Sequence, residues 1–457
     1  MASSLNVVDT RQKKIRSGKP YQQKLRYSIN KLKLSIMKKV MIIGGGFGGI
    51  NLAKRLAGNP DFQITLVDRN NYNFFPPLLY QVATGYLEPS NISYPFRRLF
   101  RDGKNISFRM GEFEKLVTSE NKIILSTGDL QYDYLVFATG AETNYFGMEN
   151  VKKNALPMKT VNDALELRNH FLQKMEEASR TTDEGERKKI LTTVIAGGGP
   201  TGVEVSGMLA EMRKNVLPRD YPEISGHGYE SHIYLIDNQD KVLAPMSKKS
   251  QSDTFNALTK LGVEIKFGLQ VKDYIDDVVS FVNGETIETK TLVWAAGVTA
   301  SVFNGIPQES YGRGRRLIVN EFNEIKGLQN IFAIGDTCLQ TTDNQFPNGH
   351  PQLAQVAIQQ GQQLAKNFIA VKSGKPQRPF SYFDKGSMAI IGWNKAVVDI
   401  PKPLLHFKGF IAWLMWIFVH LVSLINYRNR IRTLYNWIGA YFTKDQSLRL
   451  LIRPLKK

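Results

Sequence analysis

The first residues whose types and spacing could do chemistry are three glycines that follow a short apolar run. Gly44-x-Gly46-x-x-Gly49 comes directly after residues 40–43. The first glycine permits a tight turn, the second lets the backbone approach a pyrophosphate, and the third lets a helix pack closely on a strand. Asp68 stands 24 residues after Gly44, at the end of the next apolar run, where a carboxylate can accept ribose hydroxyls. The pattern predicts a dinucleotide-binding loop.

A second motif of the same kind lies near the middle of the chain. Gly197-x-Gly199-x-x-Gly202 follows residues 191–196, with Glu204 just after it and Asp237 at the end of the next apolar run. Asp237 stands 40 residues after Gly197, farther than the usual spacing of roughly 20, because a loop-like stretch intervenes at 215–231. A carboxylate at this position would repel a 2′-phosphate. The motif therefore favours NADH over NADPH.

Each motif is surrounded by the elements that it needs. The same order of features occurs twice: an apolar run, a glycine turn, a helical pattern, a second apolar run and an acidic residue. This order is typical of a βαβ unit, so the sequence contains two such units. Further β-like runs end in Thr139-Gly140, in Ala296-Gly297 and, at 331–334, in Gly335-Asp336. The first domain is therefore expected to resume after the second. We predict an α/β fold with two Rossmann-like dinucleotide-binding domains, the first interrupted by the second.

Positive charge is concentrated at the two ends of the chain. Residues 1–39 hold eleven Lys/Arg and one Asp, and residues 402–457 hold ten Lys/Arg and one Asp. These two segments account for the whole net charge of +19. Basic ends on a neutral body suit an anionic lipid surface or another polyanion. The lysine-rich leader has no apolar signal-peptide core, and we predict that residues 1–36 are disordered or dispensable.

Near the C-terminus an apolar segment, residues 410–425, is followed by aromatic and basic residues. Its 16 residues fall short of the roughly 20 that span a bilayer. We predict an amphipathic helix that lies in the membrane interface. A buried core or dimer helix is the main alternative, and a transmembrane span is a weaker one.

The sequence also excludes some kinds of chemistry. Cys338 is the only cysteine, so an intramolecular disulfide cannot form, and disulfide- or sulfide-oxidising enzymes with paired cysteines are disfavoured. No Cys/His cluster has metal-ligand spacing, and we predict no metal site.

Several longer segments resemble one flavoprotein family. These segments are residues 70–84, 354–361 (Ala-Gln-Val-Ala-Ile-Gln-Gln-Gly), 384–389 and 418–430. Through them, the chain from about residue 38 onward is similar to the type II NADH:quinone oxidoreductases, which are single-subunit and do not pump protons. Residues 73–76 (Asn-Phe-Phe-Pro) depart from the His-x-Phe-Gln expected there.

The resemblance implies a function and a set of site residues. Hydride would pass from NADH to a non-covalent FAD, and two electrons would then pass to a membrane quinone, either ubiquinone or menaquinone. The implied FAD-binding residues are Gly44, Gly46, Phe47, Gly48, Gly49, Asp68, Thr139, Gly140, Gly335, Asp336 and Ala357. The implied NADH-binding residues are Gly197, Gly199, Pro200, Thr201, Gly202, Glu204, Asp237, Ala296 and Gly297.

The resemblance also implies catalytic roles for Glu204, near the nicotinamide, and, on the quinone side, for Gln355, Gln359 and Lys385. Gln355 and Gln359 lie four residues apart and would share one helix face, where their amides could donate hydrogen bonds to a quinone carbonyl. Without the resemblance, the same glutamines are an ordinary solvated helix face.

The expected organisation is a leader (1–36), an FAD-binding domain in two parts (37–155 and 311–402), an NADH-binding domain (156–310) and a C-terminal membrane-association and dimerisation region (403–457). We expect a homodimer, held peripherally on anionic lipid at the cytoplasmic face of a bacterial inner membrane, with no nucleic-acid partner. Two rival functions are NADH-dependent reduction of a protein electron carrier, and a flavoprotein that signals or binds nucleic acid through its basic ends.

Overall fold

A computed structural model of the chain describes residues 37–225, 230–443 and 448–451. The predicted leader, residues 1–36, lies outside the described residues. So do residues 226–229 of the loop before Asp237 and residues 444–447 and 452–457 of the C-terminal region.

The first glycine motif belongs to a five-stranded parallel sheet. Its strands are, in spatial order, Ile331–Ala333, Tyr134–Phe137, Lys38–Ile43, Phe62–Asp68 and Ile106–Met110. The last four residues of the central strand, 40–43, are apolar and buried, as expected for a parallel sheet covered on both faces. The edge strand Ile331–Ala333 comes from beyond the second sheet, which confirms that the first domain is interrupted by the second.

The second glycine motif belongs to another five-stranded parallel sheet. Its strands are, in spatial order, Leu156–Pro157, Thr291–Trp294, Thr193–Ala196, Ile233–Asp237 and Glu264–Phe267. The predicted α/β class with two Rossmann-like units is therefore confirmed.

Smaller sheets complete the two domains. Two antiparallel three-stranded sheets comprise Phe113–Val117, Lys122–Leu125 and Leu130–Gln131, and Val271–Ile275, Val278–Phe281 and Thr286–Glu288. Two-stranded pairs join Glu142–Thr143 to Val298–Thr299, Tyr72–Phe74 to Ser93–Pro95, and Leu317–Val319 to Cys338–Gln340.

The helices cover the sheets and form the C-terminal layer. The α-helices are Phe47–Leu56, Leu79–Ala83, Pro89–Ile92, Phe96–Leu99, Glu149–Asn154, Val161–Arg180, Glu184–Leu191, Pro200–Asn215, Leu217–Asp220, Lys248–Lys260, Ala354–Lys372, Gly409–Ser423 and Tyr427–Thr443. The 3-10 helices are Pro76–Leu78, Thr118–Glu120, Pro222–Ile224, Gln308–Ser310, Arg313–Arg315 and Gly335–Thr337. The stretch predicted as a loop before Asp237 thus holds a short helix and a 3-10 turn.

An antiparallel sheet of Ser387–Gly392, Lys395–Ile400 and Leu405–Lys408 leads into the C-terminal region. Strand Ser387–Gly392 packs so closely on helix Pro200–Asn215 that a Cβ at Gly207 would overlap the carbonyl oxygen of Ile391. The helices Gly409–Ser423 and Tyr427–Thr443 follow, and Trp416 is buried in the same core cluster as the second sheet. Among the described residues, the structure contains no helix with the length and apolar character needed to cross a membrane.

Candidate active site

The first glycine motif forms a tight loop whose outer face is open. Gly44 has a φ of +104°, and a Cβ there would overlap the carbonyl oxygen of Ala138. A Cβ at Gly49 would overlap the carbonyl oxygen of Gly44. At Gly46, in contrast, the atom nearest to an added Cβ would be 4.0 Å away. Packing therefore requires the outer two glycines, and the middle one leaves space for a phosphate at the start of helix Phe47–Leu56.

The second motif repeats this geometry. Gly197 has a φ of +112°, and a Cβ there would overlap the carbonyl oxygen of Ala295. A Cβ at Gly202 would overlap the carbonyl oxygen of Gly197, whereas one at Gly199 would have nothing within 4 Å. Pro200 and Thr201 then open helix Pro200–Asn215. Two loops of the same shape can therefore hold two dinucleotides.

Each loop is closed by the acid that ends the neighbouring strand. Asp68 accepts hydrogen bonds from the backbone N–H groups of Gly45, at 2.7 Å, and Asn70, at 2.8 Å. Burial raises the pKa of the Asp68 carboxyl, although these two hydrogen bonds act in the opposite direction. Asp237 likewise accepts from the N–H groups of Gly198, at 2.5 Å, and Gln239, at 2.8 Å. Both carboxylates keep lone pairs that can accept a ribose hydroxyl.

Helix Ala354–Lys372 packs against the first loop. A Cβ at Gly48 would lie 3.3 Å from the carbonyl oxygen of Ala357, and one at Gly335 would lie 3.2 Å from the Cβ of Ala357. The ring of Phe47 meets Phe75 edge-on at 5.7 Å between centroids. Asn73, one of the residues that depart from the expected pattern, donates a hydrogen bond to the carbonyl of Gly45 at 2.8 Å.

Polar groups at the ends of the neighbouring strands could meet a cofactor. Burial raises the pKa of the Asp336 carboxyl, and Lys159, whose Nζ lies 4.0 Å from Asp336 Oδ2, lowers it in part. The hydroxyls of Thr139 and Thr337 are buried and have no hydrogen-bond partner in the part of the chain that the structure describes. Because an unsatisfied buried hydroxyl costs free energy, such groups suit a polar ligand. The residues present therefore fit FAD.

Glu204 lies on helix Pro200–Asn215 and approaches the first domain. Burial raises the pKa of its carboxyl well above the ordinary value, and a backbone hydrogen bond from Ile390 lowers it in part. Burial, and next the nearby charge of Glu204, raises the pKa of Tyr80. A carboxyl on the helix that follows the second glycine loop, close to Tyr80 of the first domain and with a raised pKa, has the properties of a functional group.

Comparisons with known proteins agree with this geometry. Residues 38–361 match the family described as pyridine nucleotide-disulphide oxidoreductase, and residues 385–444 match the NDH2 C-terminal domain. Two curated relatives from Mycobacterium tuberculosis are the type II NADH:quinone oxidoreductases NdhA and Ndh. NdhA is 38% identical over 87% of this chain and 86% of its own length, and Ndh is 36% identical over 89% and 88%.

The chain belongs to the type II NADH:quinone oxidoreductase family. The recognition that the sequence segments suggested is thereby confirmed. The solved structure of NDH2 from Plasmodium falciparum in complex with NADH has the same fold, with a TM-score of 0.81 and 22% identity over 91% of this chain and the whole of that one.

In this type II enzyme, the predicted FAD and NADH residues gather at the carboxyl edges of the two parallel sheets, where ligands bind in such folds. Gly44, Thr139, Gly140, Gly335 and Asp336 follow three strands of the first sheet, and Asp68 ends a fourth. Gly197, Ala296 and Gly297 follow two strands of the second sheet, and Asp237 ends a third.

Gln355 and Gln359 share one face of helix Ala354–Lys372, but their amides contact protein backbone. Gln355 donates to the carbonyl of Gly386 at 2.9 Å and accepts from the N–H of Lys385 at 3.1 Å. Gln359 donates to the carbonyl of Phe383 at 2.9 Å and accepts from the N–H of the same residue at 3.0 Å. The side chain of Lys385 is exposed.

The structure adds polar contacts that sequence reasoning missed. Gln81 donates to the hydroxyl of Tyr80 at 2.9 Å and accepts from the indole N–H of Trp437 at 2.7 Å. Gln81 thus joins Tyr80, whose pKa burial and the charge of Glu204 raise, to the C-terminal helix Tyr427–Thr443. The available signal was their place in the segment 70–84 that carries the family resemblance.

Cys338 is unsuited to redox chemistry. Its side chain is buried, and burial raises the pKa of the thiol to about 11. A thiolate is the nucleophilic form, so this thiol is inert at neutral pH. The finding agrees with the sequence argument against a disulfide- or sulfide-oxidising mechanism.

Proposed function

We propose that the chain oxidises NADH at a bound FAD and delivers the electrons to a membrane quinone, either ubiquinone or menaquinone. When bound, FAD accepts hydride from NADH and passes two electrons to the quinone. The observation that carries the proposal is the pair of loops with the same geometry, one in each parallel sheet, in a chain of the type II family.

For FAD, we propose a non-covalent site in a domain formed by residues 37–155 and 311–402. The N–H groups at the start of helix Phe47–Leu56 would hold the pyrophosphate, and Asp68 would accept a ribose hydroxyl. Asp336, Thr139 and Gly140 would meet the middle of the cofactor, while Ala357 presents helix Ala354–Lys372 to it. Two observations support this placement: the open face at Gly46, and the hydroxyl of Thr139, which has no hydrogen-bond partner among the described residues.

For NADH, we propose a site in the domain 156–310. The start of helix Pro200–Asn215 would hold its pyrophosphate, and Asp237 would accept the ribose hydroxyls and repel a 2′-phosphate. Ala296 and Gly297 would border the nicotinamide, with Glu204 beside it. The position of Glu204 between the two domains supports this role.

For the quinone, we propose a site beside the N-terminal half of helix Ala354–Lys372, with Gln355, Gln359 and Lys385. Two observations support this placement. Ala357 of this helix contacts the first glycine loop, where FAD is proposed to bind, and the side chain of Lys385 is exposed to solvent.

Residues 403–457 are proposed to attach the enzyme peripherally to anionic lipid, at the cytoplasmic face of a bacterial inner membrane. Helix Gly409–Ser423 buries Ala412 and Trp416 but exposes Ile411, Leu414 and Phe418, so it has an apolar outer face. Arg428 and Arg432 on the next helix are exposed and could meet lipid phosphates. The bacterial relatives support the cellular assignment.

The same region is proposed to form a homodimer, and no nucleic-acid partner is proposed. The exposed apolar side chains of helix Tyr427–Thr443, among them Ile431, Tyr435 and Phe442, support a further apolar contact beyond the lipid surface. Sedimentation velocity of detergent-solubilised protein tests the dimer, since a single monomer boundary would contradict it.

The activity is tested on the flavin itself. Purified protein should show an FAD absorbance spectrum that bleaches when NADH is added without oxygen and returns when a soluble ubiquinone or menaquinone analogue follows. A flavin that NADH reduces but that neither quinone reoxidises would reject quinone as the acceptor. Retention on polyanions with negligible NADH turnover would favour the signalling alternative.

Membrane attachment is tested by two truncations. A chain ending near Lys402 also loses strand Leu405–Lys408 and the buried Trp416, so its FAD spectrum is recorded first as a check of folding. The folded, FAD-bound form should lose membrane association, whereas a chain starting at Met37 should still sediment with membranes. The reverse pattern would place the anchor at the N-terminus.

A further inference from the structure

The contacts of Gln355 and Gln359 assign these residues a different task from direct hydrogen bonding to quinone. Each carboxamide uses its oxygen and one N–H on the backbone of a single short segment, residues 383–386, which we name the clamped turn. At Phe383, one glutamine pairs with both the N–H and the carbonyl of the same residue, as one strand residue pairs with another in a sheet.

The clamped turn is also held from within and from its other side. Asp384 Oδ1 accepts from the N–H of Gly386 at 2.8 Å and from the hydroxyl of Tyr382 at 3.4 Å. Gly386 has a φ of +98°, and a Cβ there would overlap the carbonyl oxygen of Asp399. The turn is therefore fixed between helix Ala354–Lys372 and strand Lys395–Ile400.

The clamped turn exposes two side chains of different chemistry, those of Phe383 and Lys385. Phe383 leaves 63% of its surface exposed, and its backbone is bonded to Gln359 of the helix that packs on the flavin loop. Lys385 is also exposed. An aromatic face can stack on a quinone ring, and an ammonium can donate to a quinone carbonyl as that oxygen gains charge.

We propose that Gln355 and Gln359 are positioning residues, which act on the quinone through the clamped turn, and that Phe383 is a contact residue for the quinone ring. The proposal rests on the proposed quinone reduction at this site. It differs from direct recognition because the two amides already have backbone partners, whereas the described residues leave most of the Phe383 side chain uncovered.

The test compares three variants of the full-length FAD-bound enzyme. Gln359→Leu removes both hydrogen bonds to Phe383. Phe383→Ala removes the ring but leaves those backbone hydrogen bonds intact. Gln363→Leu is the matched control, because Gln363 lies one turn farther along the same helix and its amide contacts Asn367 and Arg378 instead of the turn.

Two readouts separate positioning from direct contact. Hydrogen–deuterium exchange follows the backbone N–H groups of Phe383 and Lys385, and stopped-flow absorbance follows flavin reduction by NADH and reoxidation by a soluble quinone. Gln359→Leu should raise exchange across 383–386 about tenfold, as expected for the loss of a net hydrogen bond, and should slow reoxidation by a similar factor. Phe383→Ala should slow reoxidation about as much, with exchange across the turn unchanged.

The double variant Gln359→Leu/Phe383→Ala should be hardly slower than either single variant, since both changes remove the same contact. Flavin reduction by NADH should be unchanged throughout, and Gln363→Leu should resemble the parent enzyme in both readouts. If Gln359→Leu lowers FAD content, Gln359→Glu replaces it, because the carboxylate still accepts from Phe383 N–H but cannot donate to its carbonyl.

Slower reoxidation in Gln359→Leu with unchanged exchange, or multiplicative effects in the double variant, would overturn the proposal in favour of direct contact. So would full reoxidation rates in Phe383→Ala. Failure of the parent enzyme to reduce any quinone would instead reject the proposed function, and the exchange measurements would still report whether the glutamines hold the turn.

Discussion

The attachment of the enzyme to a membrane can be tested on one helix face. Ile411, Leu414 and Phe418 lie at positions i, i+3 and i+7 of helix Gly409–Ser423 and therefore share one side, away from the buried Trp416. Replacing Ile411 and Phe418 by serine removes two large apolar side chains from that side without touching the packed face.

The expected loss follows from the exposed fractions. Ile411 is 61% exposed and Phe418 is 68% exposed, so about two thirds of each side chain remains available for burial in lipid. Full burial of such a side chain contributes roughly 1.5–3 kcal/mol, which leaves about 1–2 kcal/mol for each residue. Burial at an interface is incomplete, so the double variant should lose about 2 kcal/mol, or about 30-fold in partition coefficient.

The assay is co-sedimentation of the FAD-bound protein with vesicles that contain anionic lipid, at low and at high salt. The matched control is Val282→Ser, because Val282 is 63% exposed but belongs to the second domain. The control should partition like the parent protein, and high salt should weaken parent binding without abolishing it. Equal partitioning of the double variant and the parent would refute the assigned membrane face.

Three further predictions concern the dinucleotide sites. Asp237→Asn keeps an acceptor for the N–H of Gly198 but removes the negative charge that repels a 2′-phosphate. In steady-state assays, the ratio of kcat/KM for NADPH to kcat/KM for NADH should therefore rise about tenfold. An unchanged ratio would show that Asp237 does not discriminate between the two nucleotides. Gly49→Ala should abolish FAD binding, whereas Gly202→Ala should retain FAD and raise the KM for NADH, because each added Cβ overlaps a carbonyl within its own loop. Flavin content and NADH titrations measure these two effects. Loss of FAD from both variants would contradict separate sites for the two dinucleotides. Burial raises the pKa of Glu204, so the folded protein keeps a proton that the unfolded chain releases. The free energy of unfolding should therefore fall as pH rises from about 4.5 through the raised pKa. Thermal unfolding measured across pH should show a shallower fall for Glu204→Gln than for the parent protein, and identical slopes would be evidence against burial of this carboxyl.

The two dinucleotide loops were predictable from the sequence because their information is local. A first glycine with positive φ, a third glycine that meets the carbonyl of the first, and an acid at the end of the next strand all lie within a few tens of residues. The backbone of such a loop admits few other residues, so the pattern alone predicted the loop, its helix and its strand. The apolar run at 410–425 predicted a helix for a similar reason.

The surroundings of those loops were decided by tertiary structure. Nothing near Gln355 or Gln359 in the sequence indicates that their amides would contact residues 383–386, which lie 24 to 31 positions away. The hydrogen bond between Gln81 and Trp437 joins residues 356 positions apart, and the overlap that excludes a Cβ at Gly207 arises from the strand that holds Ile391. A side chain's partner depends on which elements the fold brings together. For contacts of this range, the amino-acid sequence specifies the donors and acceptors, and the packing of the C-terminal sheet and helices on both domains determines how they pair.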